Sequence, residues 1–123
     1  MGFLAKIIIE VGINGLSLYF MTLALENVQY TGGYWFFIIG GLFIGFLNFF
    51  IKPLIKILSL PFIFITGGLF LIVINAFILW LFQGLLNVIQ FNGVSVLFPD
   101  FWSYVLGALI FGIVNWILHI FFK

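Results

Sequence analysis

Four long and predominantly apolar runs restrict what this chain can fold into. They cover residues 7–25, 33–51, 62–88 and 101–122, and Glu10 is the only Asp, Glu, Lys or Arg inside them. A helix needs about 20 mainly apolar residues to cross a hydrocarbon core about 30 Å thick. Each run is close to that length or longer, so the sequence predicts four transmembrane helices.

Composition supports a membrane location for the whole chain. Hydrophobic residues make up 66% of it and charged residues 6%, with a mean hydropathy of +1.42. These values leave too few polar side chains to cover the surface of a water-soluble globule. A transmembrane β-barrel requires short strands of alternating polarity, and the four runs do not alternate. We therefore expect an all-α membrane protein.

The sequence also contains an internal repeat, over about residues 7–56 and 68–123. Asn14 recurs as Asn75 (75 − 14 = 61), and Asn48 recurs at a longer offset as Asn115 (115 − 48 = 67). Apolar residues align by chance in such a chain, whereas Asn, Gln, Gly and Lys do not, so we infer two tandem helical hairpins. The other matched pairs are Tyr19 with Trp80, Gln29–Gly32 with Gln90–Gly93, Tyr34 and Trp35 with Phe101 and Trp102, Gly40, Gly41 and Gly45 with Gly107, Ala108 and Gly112, Lys52 with His119, and Lys56 with Lys123.

The charged residues indicate how the helices are oriented. All four lysines fall on one side of a four-span chain, at Lys6, Lys52, Lys56 and Lys123. Glu26 and Asp100 fall in the two connections on the other side. Because cytoplasmic segments are enriched in Lys and Arg, we expect both termini in the cytoplasm. Trp35 and Trp102 then lie at the outer interface, where amphipathic rings are favoured.

The first run has some features of a cleaved signal peptide. Lys6 precedes an apolar stretch that ends near the small residue Ala24. In the repeat, however, residues 7–25 correspond to the third run, and cleavage would remove half of the first hairpin. We therefore expect this segment to stay in the protein as a span.

Small residues and asparagines predict a helix-packing seam. Gly41, Gly45 and Asn48 share one helix face, and Ala108, Gly112 and Asn115 repeat their spacing. Such small residues let two helix backbones approach closely, and an Asn one turn on can donate a hydrogen bond across the contact. Asn14 and Asn75 occupy the first helix of each hairpin and complete the predicted seam.

All four asparagines are expected in the cytoplasmic half of the membrane. Asn14 is eight residues from Lys6, about 12 Å along a helix, and Asn48 is four residues from Lys52, about 6 Å. One interpretation is that they hold helices together by hydrogen bonds. The alternative is a polar site or pathway between the two repeats, as in transporters built from repeats.

The connection between the hairpins carries the densest motif, N-x-x-x-K-P-L-x-x-x-L-S-L-P at Asn48–Pro61. A proline disfavours helical geometry at the residue before it, so we expect the second span to end near Lys52, before Pro53. Pro61 suits the first turn of the next helix. The segment between the prolines, which includes Lys56, is expected at the cytoplasmic interface. It would act as a membrane anchor or as a docking site for a cytoplasmic partner.

This motif resembles the phage-holin-like family of small bacterial membrane proteins, also described as a mycobacteriophage four-span holin superfamily. It is followed by Thr66-Gly67-Gly68-Leu69-Phe70, which departs slightly from the family pattern, and by Ile74-Asn75-Ala76. The resemblance extends over nearly the whole chain. It implies a four-helix protein of the bacterial inner membrane, suggests pore formation through the family's name, and brings no catalytic residues.

Two ionisable residues inside the runs need partners. A carboxylate within a span is costly unless it is paired, and Lys6 lies on the same helix face as Glu10, so we predict a Lys6–Glu10 pair. The alternative for Glu10 is a proton or cation site. His119 stands at the position of Lys52 and is predicted at the interface, with a proton relay as the alternative. The full predicted cytoplasmic interface is Lys6, Glu10, Lys52, Pro53, Lys56, Pro61, His119 and Lys123.

The two outer loops are expected to be turns, at Gln29–Gly32 and Gln90–Gly93. The second connection is six residues longer (67 − 61 = 6) and contains Pro99 and Asp100. We expect this longer connection to make an external contact.

The sequence points away from catalysis. It has no Cys, one His and a net charge of +1, so we predict no metal, no cofactor and no nucleic-acid partner. Its carboxylates and His119 fall on both membrane sides and form no acid–base or nucleophile constellation. We expect a non-catalytic scaffold or accessory subunit that self-associates or joins a larger complex in the lipid bilayer. The alternatives are a holin-like pore and a small oligomeric transporter.

Overall fold

The computed structural model describes residues 2–89 and 93–122. Within them the chain forms six helices and two short strands: α1 (Gly2–Ala24), β1 (Gln29–Thr31), α2 (Tyr34–Phe50), α3 (Lys52–Leu58), α4 (Leu60–Ile65), α5 (Phe70–Ile89), β2 (Ser95–Leu97) and α6 (Phe101–Phe121). Lys123, predicted at the interface, and Gln90, Phe91 and Asn92, predicted in an outer turn, lie outside the described residues.

Four helical stretches are long and apolar enough to cross a membrane. They are α1, the nearly continuous α2 and α3 (Tyr34–Leu58), α5 and α6. Their lengths run from 20 to 25 residues, which matches the thickness of a hydrocarbon core. The predicted all-α membrane protein with four transmembrane helices is confirmed.

The four long helices pack in a ring. α1 contacts α2 and α6, while α5 contacts α6 and, less extensively, α2. Apolar side chains from all four helices fill the centre, and the most completely buried are Leu18, Met21, Phe36, Ile44, Ile74, Leu79, Phe82 and Leu86. The core therefore lies along the bundle axis, and each interface between neighbouring helices can be compared with its counterpart in the other half of the ring.

The second span differs slightly from its prediction. α2 ends at Phe50, close to the predicted Lys52, but α3 begins at Lys52 after a break at the single residue Ile51. Pro53 has no N–H to donate to the carbonyl of Phe49, which explains the break. The fixed φ of a proline suits the first turn of α3, so the chain resumes a helix at once.

The prediction for the third span was wrong at its start. Residues 62–88 were expected to form one helix, but α4 ends at Ile65 and α5 begins at Phe70. Gly67 and Gly68 separate the two helices with φ values of 64° and 95°. Glycine adopts this left-handed conformation without steric cost, and it commonly ends a helix. Pro61 lies in the first turn of the next helix, as expected, and that helix is the short α4.

The end of the bundle opposite Lys6 and Lys52 contains a small antiparallel sheet. β1 pairs with β2, with Gln29 opposite Leu97 and Thr31 opposite Ser95. The prediction that Gln29–Gly32 is a turn was therefore wrong for its first three residues, because a strand from the other hairpin satisfies their backbone. The turn lies at Gly32 and Gly33, whose φ values are 109° and 59°. The six extra residues of the second connection supply β2, so this part of the loop contacts the first hairpin.

Candidate functional site

Polar side chains of all four long helices meet at one end of the bundle. This end, which we call the lysine end, is formed by the start of α1, the end of α2, the start of α5 and the end of α6. It brings together the four asparagines of the predicted seam, namely Asn14, Asn48, Asn75 and Asn115. They are divided between two interfaces, α1 with α6 and α2 with α5, which differ in structure.

The closest approach of two helices lies beside this cluster, between α1 and α2. A Cβ atom on Gly41 would overlap the carbonyl oxygen of Val11 and lie 3.0 Å from the backbone nitrogen of Gly15. A Cβ on Gly15 would in turn lie 2.8 Å from the carbonyl oxygen of Phe37. The predicted seam residue Gly41 thus packs backbone against backbone, which no larger residue would allow.

The two hairpins make equivalent contacts at the next glycine of the seam. A methyl group on Gly45 would lie 3.4 Å from Asn14 Nδ2, and one on Gly112 would lie 3.1 Å from Asn75 Nδ2. These are the positions that the internal repeat pairs. A second equivalent set is Gly40 beside Leu18 and Gly107 beside Leu79. Ala108, which stands where the first hairpin has Gly41, is fully buried.

A hydrogen-bond network closes the interface between α1 and α6. Asn115 Nδ2 donates to Asn14 Oδ1 at 2.8 Å and to Ser17 Oγ at 3.2 Å. Asn14 Nδ2 donates to the carbonyl of Gly41 at 3.4 Å, and Ser17 Oγ donates to the carbonyl of Ile13 at 2.8 Å. Asn14 and Ser17 are 1% and 0% exposed, so these bonds replace water at buried polar groups.

An ion pair extends this interface toward the end of the bundle. His119 Nε2 lies 2.8 Å from Glu10 Oε1, and His119 Nδ1 lies 2.8 Å from the carbonyl oxygen of Asn115. A carbonyl oxygen only accepts, so Nδ1 carries a proton.

The predicted Lys6–Glu10 pair was therefore wrong, because Glu10 is paired with His119. Lys6 does lie one turn from Glu10 on α1, but α6 packs along the same face and brings His119 closer. The side chains of His119 and Glu10 are 35% and 50% exposed. An ion pair this open to its surroundings contributes modestly to stability.

At the equivalent interface, a cavity lies where α2 and α5 meet α6. Its volume is about 330 Å³, and its lining comprises Asn48, Lys52, Asn75, Phe111, Gly112, Asn115, Trp116 and His119. Over residues 2–89 and 93–122, the side chains of Asn48 and Asn75 make no hydrogen bond, and Lys52 forms no ion pair. The cavity is partly open and therefore accessible from outside the bundle.

The other predicted interface residues are distributed over the two ends. At the lysine end, Lys6, Pro53, Lys56 and Pro61 are exposed. At the opposite end, Trp35 and Trp102 lie in the first turns of α2 and α6 and are also exposed.

The sequence analysis missed a set of hydrogen-bonded polar groups at the end opposite the lysine end. Gln83 Oε1 accepts hydrogen bonds from the backbone N–H of Phe98 and from the hydroxyl of Tyr104, each at 2.9 Å. Asp100 Oδ1 accepts the hydroxyl and the backbone N–H of Ser103, both at 2.8 Å, and caps α6. These two hydrogen bonds hold the pKa of Asp100 below its usual value.

Ser17 was also missed, although it lies one turn after Asn14 on α1. That spacing places both residues on one helix face and is the signal that could have found it. Ser17 and Gln83 escaped notice because the repeat matches them to Ile78 and Thr22, which do not share their chemistry.

Comparison with protein families agrees with this architecture. A family model described as mycobacterial 4 TMS phage holin, superfamily IV, matches residues 5–117. The chain belongs to this superfamily. The four transmembrane segments in the superfamily's description correspond to the four spans of the structure. The match includes Glu10 and all four asparagines but ends two residues before His119. No curated protein and no solved structure matches the chain.

Proposed function

We propose that this member of the holin superfamily is a non-catalytic scaffold or accessory subunit of a membrane complex, which packs through its helix faces. The observation that carries the proposal is the closed apolar centre of the bundle. Packing against copies of itself or against other helices is the activity that such a bundle supports best.

Apolar side chains meet across the middle of the bundle. A Cβ on Gly40 would lie 2.7 Å from Leu18 Cδ1 and 2.9 Å from Phe82 Cζ, so these side chains meet across the axis at the smallest residue. The buried polar side chains lie on either side of this layer, with Asn14 and Ser17 toward the lysine end and Ser103 at the other. A continuous aqueous path would need polar groups at every depth.

The outer surface of the bundle offers large aromatic side chains to lipid or to partner helices. Trp80 and Trp116 are 55% and 66% exposed, and Phe46 and Phe49 are 54% and 73% exposed. Without a hydrophobic driving force in lipid, helices associate through van der Waals packing, to which large rigid rings contribute. These surfaces support assembly more directly than they support conduction through a single chain.

A holin-like pore is the second candidate, because the family is named for it. Since one bundle has an apolar centre, a pore would require several chains that line a channel together. A small oligomeric transporter would need the same kind of assembly, and the polar cavity at the lysine end is the feature that favours it.

We also propose that the chain catalyses no reaction. His119 and Glu10 form a pair at the lysine end, whereas Glu26 follows the end of α1 and Asp100 precedes α6 at the opposite end. A general acid and base must both reach one substrate, and Glu26 and Asp100 are separated from the His119–Glu10 pair by the length of the bundle.

The proposed location is the bacterial inner membrane with both termini in the cytoplasm. The positions of Lys6, Lys52 and Lys56 at one end of the bundle support this orientation. Reporter fusions within residues 53–60 should then give a cytoplasmic signal, and fusions near Gly32 and Gly93 an external one. A cytoplasmic signal at Gly93 would contradict the proposed topology.

Dye release from liposomes tests the scaffold against the pore. We expect purified protein to release no more of a small trapped dye than protein-free liposomes do. Replacing Asn14, Asn48, Asn75 or Asn115 by Leu should change thermal stability and leave permeability unchanged. Release that rises with protein concentration, and that is lost in an Asn variant with an unchanged fold, would favour the holin-like pore.

A further inference from the structure

The cavity at the lysine end has a polar lining and a size suited to a small ligand. Its volume of about 330 Å³ lies at the lower end of the range of about 300 to 1,000 Å³ found for ligand pockets. Five of its eight lining residues are polar or charged. We propose that this cavity binds a phosphate group, carried either by a lipid headgroup or by a soluble ion, through Lys52, Asn48 and Asn75.

The charge of the lining favours an anion. Within the described ranges, Glu10 is the only carboxylate at the lysine end, and it contacts His119 at 2.8 Å. Lys52 is half-buried and has no carboxylate partner in this part of the chain. The lining therefore contains an ammonium group and no carboxylate, which would repel a cation and attract a phosphate.

The hydrogen-bonding groups of the lining also suit phosphate oxygens. Asn115 Nδ2 is used by Asn14 Oδ1 and Ser17 Oγ, so it is not available to a ligand. The amide groups of Asn48 and Asn75 make no hydrogen bond within residues 2–89 and 93–122 and face the cavity. Two amide donors and an ammonium group can each donate to a phosphate oxygen, and charge-assisted bonds of this kind are the stronger ones.

The internal repeat shows what occupies the equivalent place at the interface between α1 and α6. There, His119 stands at the position of Lys52, and the carboxylate of Glu10 lies 2.8 Å from its ring. At the cavity, Leu71 stands at the position that the repeat matches with Glu10, so α5 supplies no carboxylate there. A bound phosphate would supply beside Lys52 the anion that Glu10 supplies beside His119.

Both sources of phosphate can reach this depth. Lys52 lies at the junction of α2 and α3, and long cationic side chains near the ends of spans extend toward the membrane interface. Phospholipid headgroups lie in this region, and soluble anions approach it from the adjacent aqueous phase. The cavity is partly open, which leaves a route for either.

The test measures binding to the purified full chain in phosphate-free detergent. In one arm, sodium phosphate is titrated against sodium chloride of equal ionic strength. In the other, phosphatidic acid is compared with diacylglycerol of the same acyl chains, so that the two lipids differ only in the phosphate. We expect saturable binding in the phosphatidic acid arm if the source is a headgroup, and in the sodium phosphate arm as well if a soluble ion suffices.

Matched variants locate the binding. Lys52→Gln should weaken the dissociation constant about tenfold or more, because it removes the charged donor. Lys56→Gln makes the same change of charge on the same short helix but lies outside the cavity, and it should stay within about twofold of the unmodified protein. Asn75→Leu, which places an apolar side chain in the cavity, is a second and independent test if Lys52→Gln does not fold.

Two results would overturn the proposal. One is the absence of saturable binding in both arms, and the other is equal weakening by Lys52→Gln and Lys56→Gln, which would indicate general attraction to a positive surface. The measurement requires no permeability or assembly. Its outcome is therefore separate from the dye-release test of the proposed function.

Discussion

Two interfaces join the hairpins, α1 with α6 and α2 with α5. They occupy equivalent places in the repeat but differ in structure. Between α1 and α6, Asn14, Ser17 and Asn115 form a buried network, and Glu10 pairs with His119. Where α2 and α5 meet α6, the equivalent residues Asn75, Asn48 and Lys52 line a cavity of about 330 Å³, and Asn115 and His119 also border it. α1 and α6 are also in more extensive contact than α2 and α5.

Two apolar substitutions explain most of this difference. The repeat matches Glu10 with Leu71 and Ser17 with Ile78, so the second interface lacks both the carboxylate and the hydroxyl that complete the first. The amide and cationic positions are retained, as Asn48, Asn75 and Lys52. Polar groups that are kept without their internal partners are costly in a membrane protein unless water or a ligand satisfies them. The comparison thus identifies the open interface as the side on which a function can reside.

The difference between the two interfaces is tested most directly by placing the missing carboxylate on α5. Leu71→Glu puts an acidic group at the position of Glu10, one turn before the cavity residue Asn75. Val73→Glu is the control, because Val73 is 53% exposed on the outer surface of the same helix. We expect Val73→Glu to lower the free energy of unfolding by about 2 kcal/mol, since a carboxylate facing lipid has no partner.

Leu71→Glu should cost at least about 1 kcal/mol less than Val73→Glu, because Lys52 can pair with it. Unfolding by SDS titration from mixed micelles gives both free energies. Equal costs for the two variants would show that Lys52 cannot reach a group at position 71, and the equivalence of the two interfaces would then be wrong at this point.

A smaller effect is expected when the same amide is removed from each interface. Asn14→Ala deletes the acceptor of Asn115 and the donor to Gly41 in a buried network, whereas Asn75 makes no hydrogen bond within the described ranges. Intramembrane hydrogen bonds average about 0.6 kcal/mol and reach about 1.7 kcal/mol. We therefore expect Asn14→Ala to cost about 1 kcal/mol more than Asn75→Ala, measured by the same titration.

A double-mutant cycle of Asn14→Ala with Asn115→Ala controls for the volume that each alanine removes. The two changes should be less than additive, because either one breaks the 2.8 Å bond between them. Full additivity would mean that the network contributes nothing, and the contrast between the closed and open interfaces would then rest on packing alone.

The four spans could be predicted from the sequence because they depend on short-range patterns, as does the close packing of Gly41. Apolar runs of sufficient length predict spans, and Gly41, Gly45 and Asn48 are related by helical spacing alone. The equal placement of Gly45 beside Asn14 and of Gly112 beside Asn75 then needs only the repeat. In a chain with so few polar residues, each Asn carries more information than it would in a soluble protein.

The partners across the ring could not be predicted in this way. Glu10 and His119 are 109 residues apart, and only the return of α6 to α1 makes His119 a nearer partner than Lys6. The break at Gly67 and Gly68 was hidden inside an apolar run that is long enough for a continuous helix. β1 and β2 have three residues each, too few for an alternating pattern to be seen, and each depends on the other for its backbone hydrogen bonds.

The smallest expected effect concerns the first turns of α2 and α6, at which the two halves of the repeat also differ. Asp100 caps α6 with its side chain, whereas Gly33, its match in the repeat, begins α2 without a side-chain cap. Hydrogen bonds from the Ser103 hydroxyl and N–H lower the pKa of Asp100 in the folded protein. A lowered pKa means that the ionised group stabilises the fold above its unfolded pKa of about 3.9, and that this contribution is lost as the pH falls through the folded pKa.

Asp100→Asn keeps an oxygen that can cap the helix but does not titrate. We therefore expect the melting temperature of the unmodified protein to exceed that of Asp100→Asn at about pH 6, and the difference to shrink by about pH 3. All other side chains are the same in both proteins, so the effects of pH elsewhere cancel in the difference. A gap that stays constant over this range would show that the carboxylate contributes no more than a neutral cap, and the two helix starts would then differ only in backbone conformation.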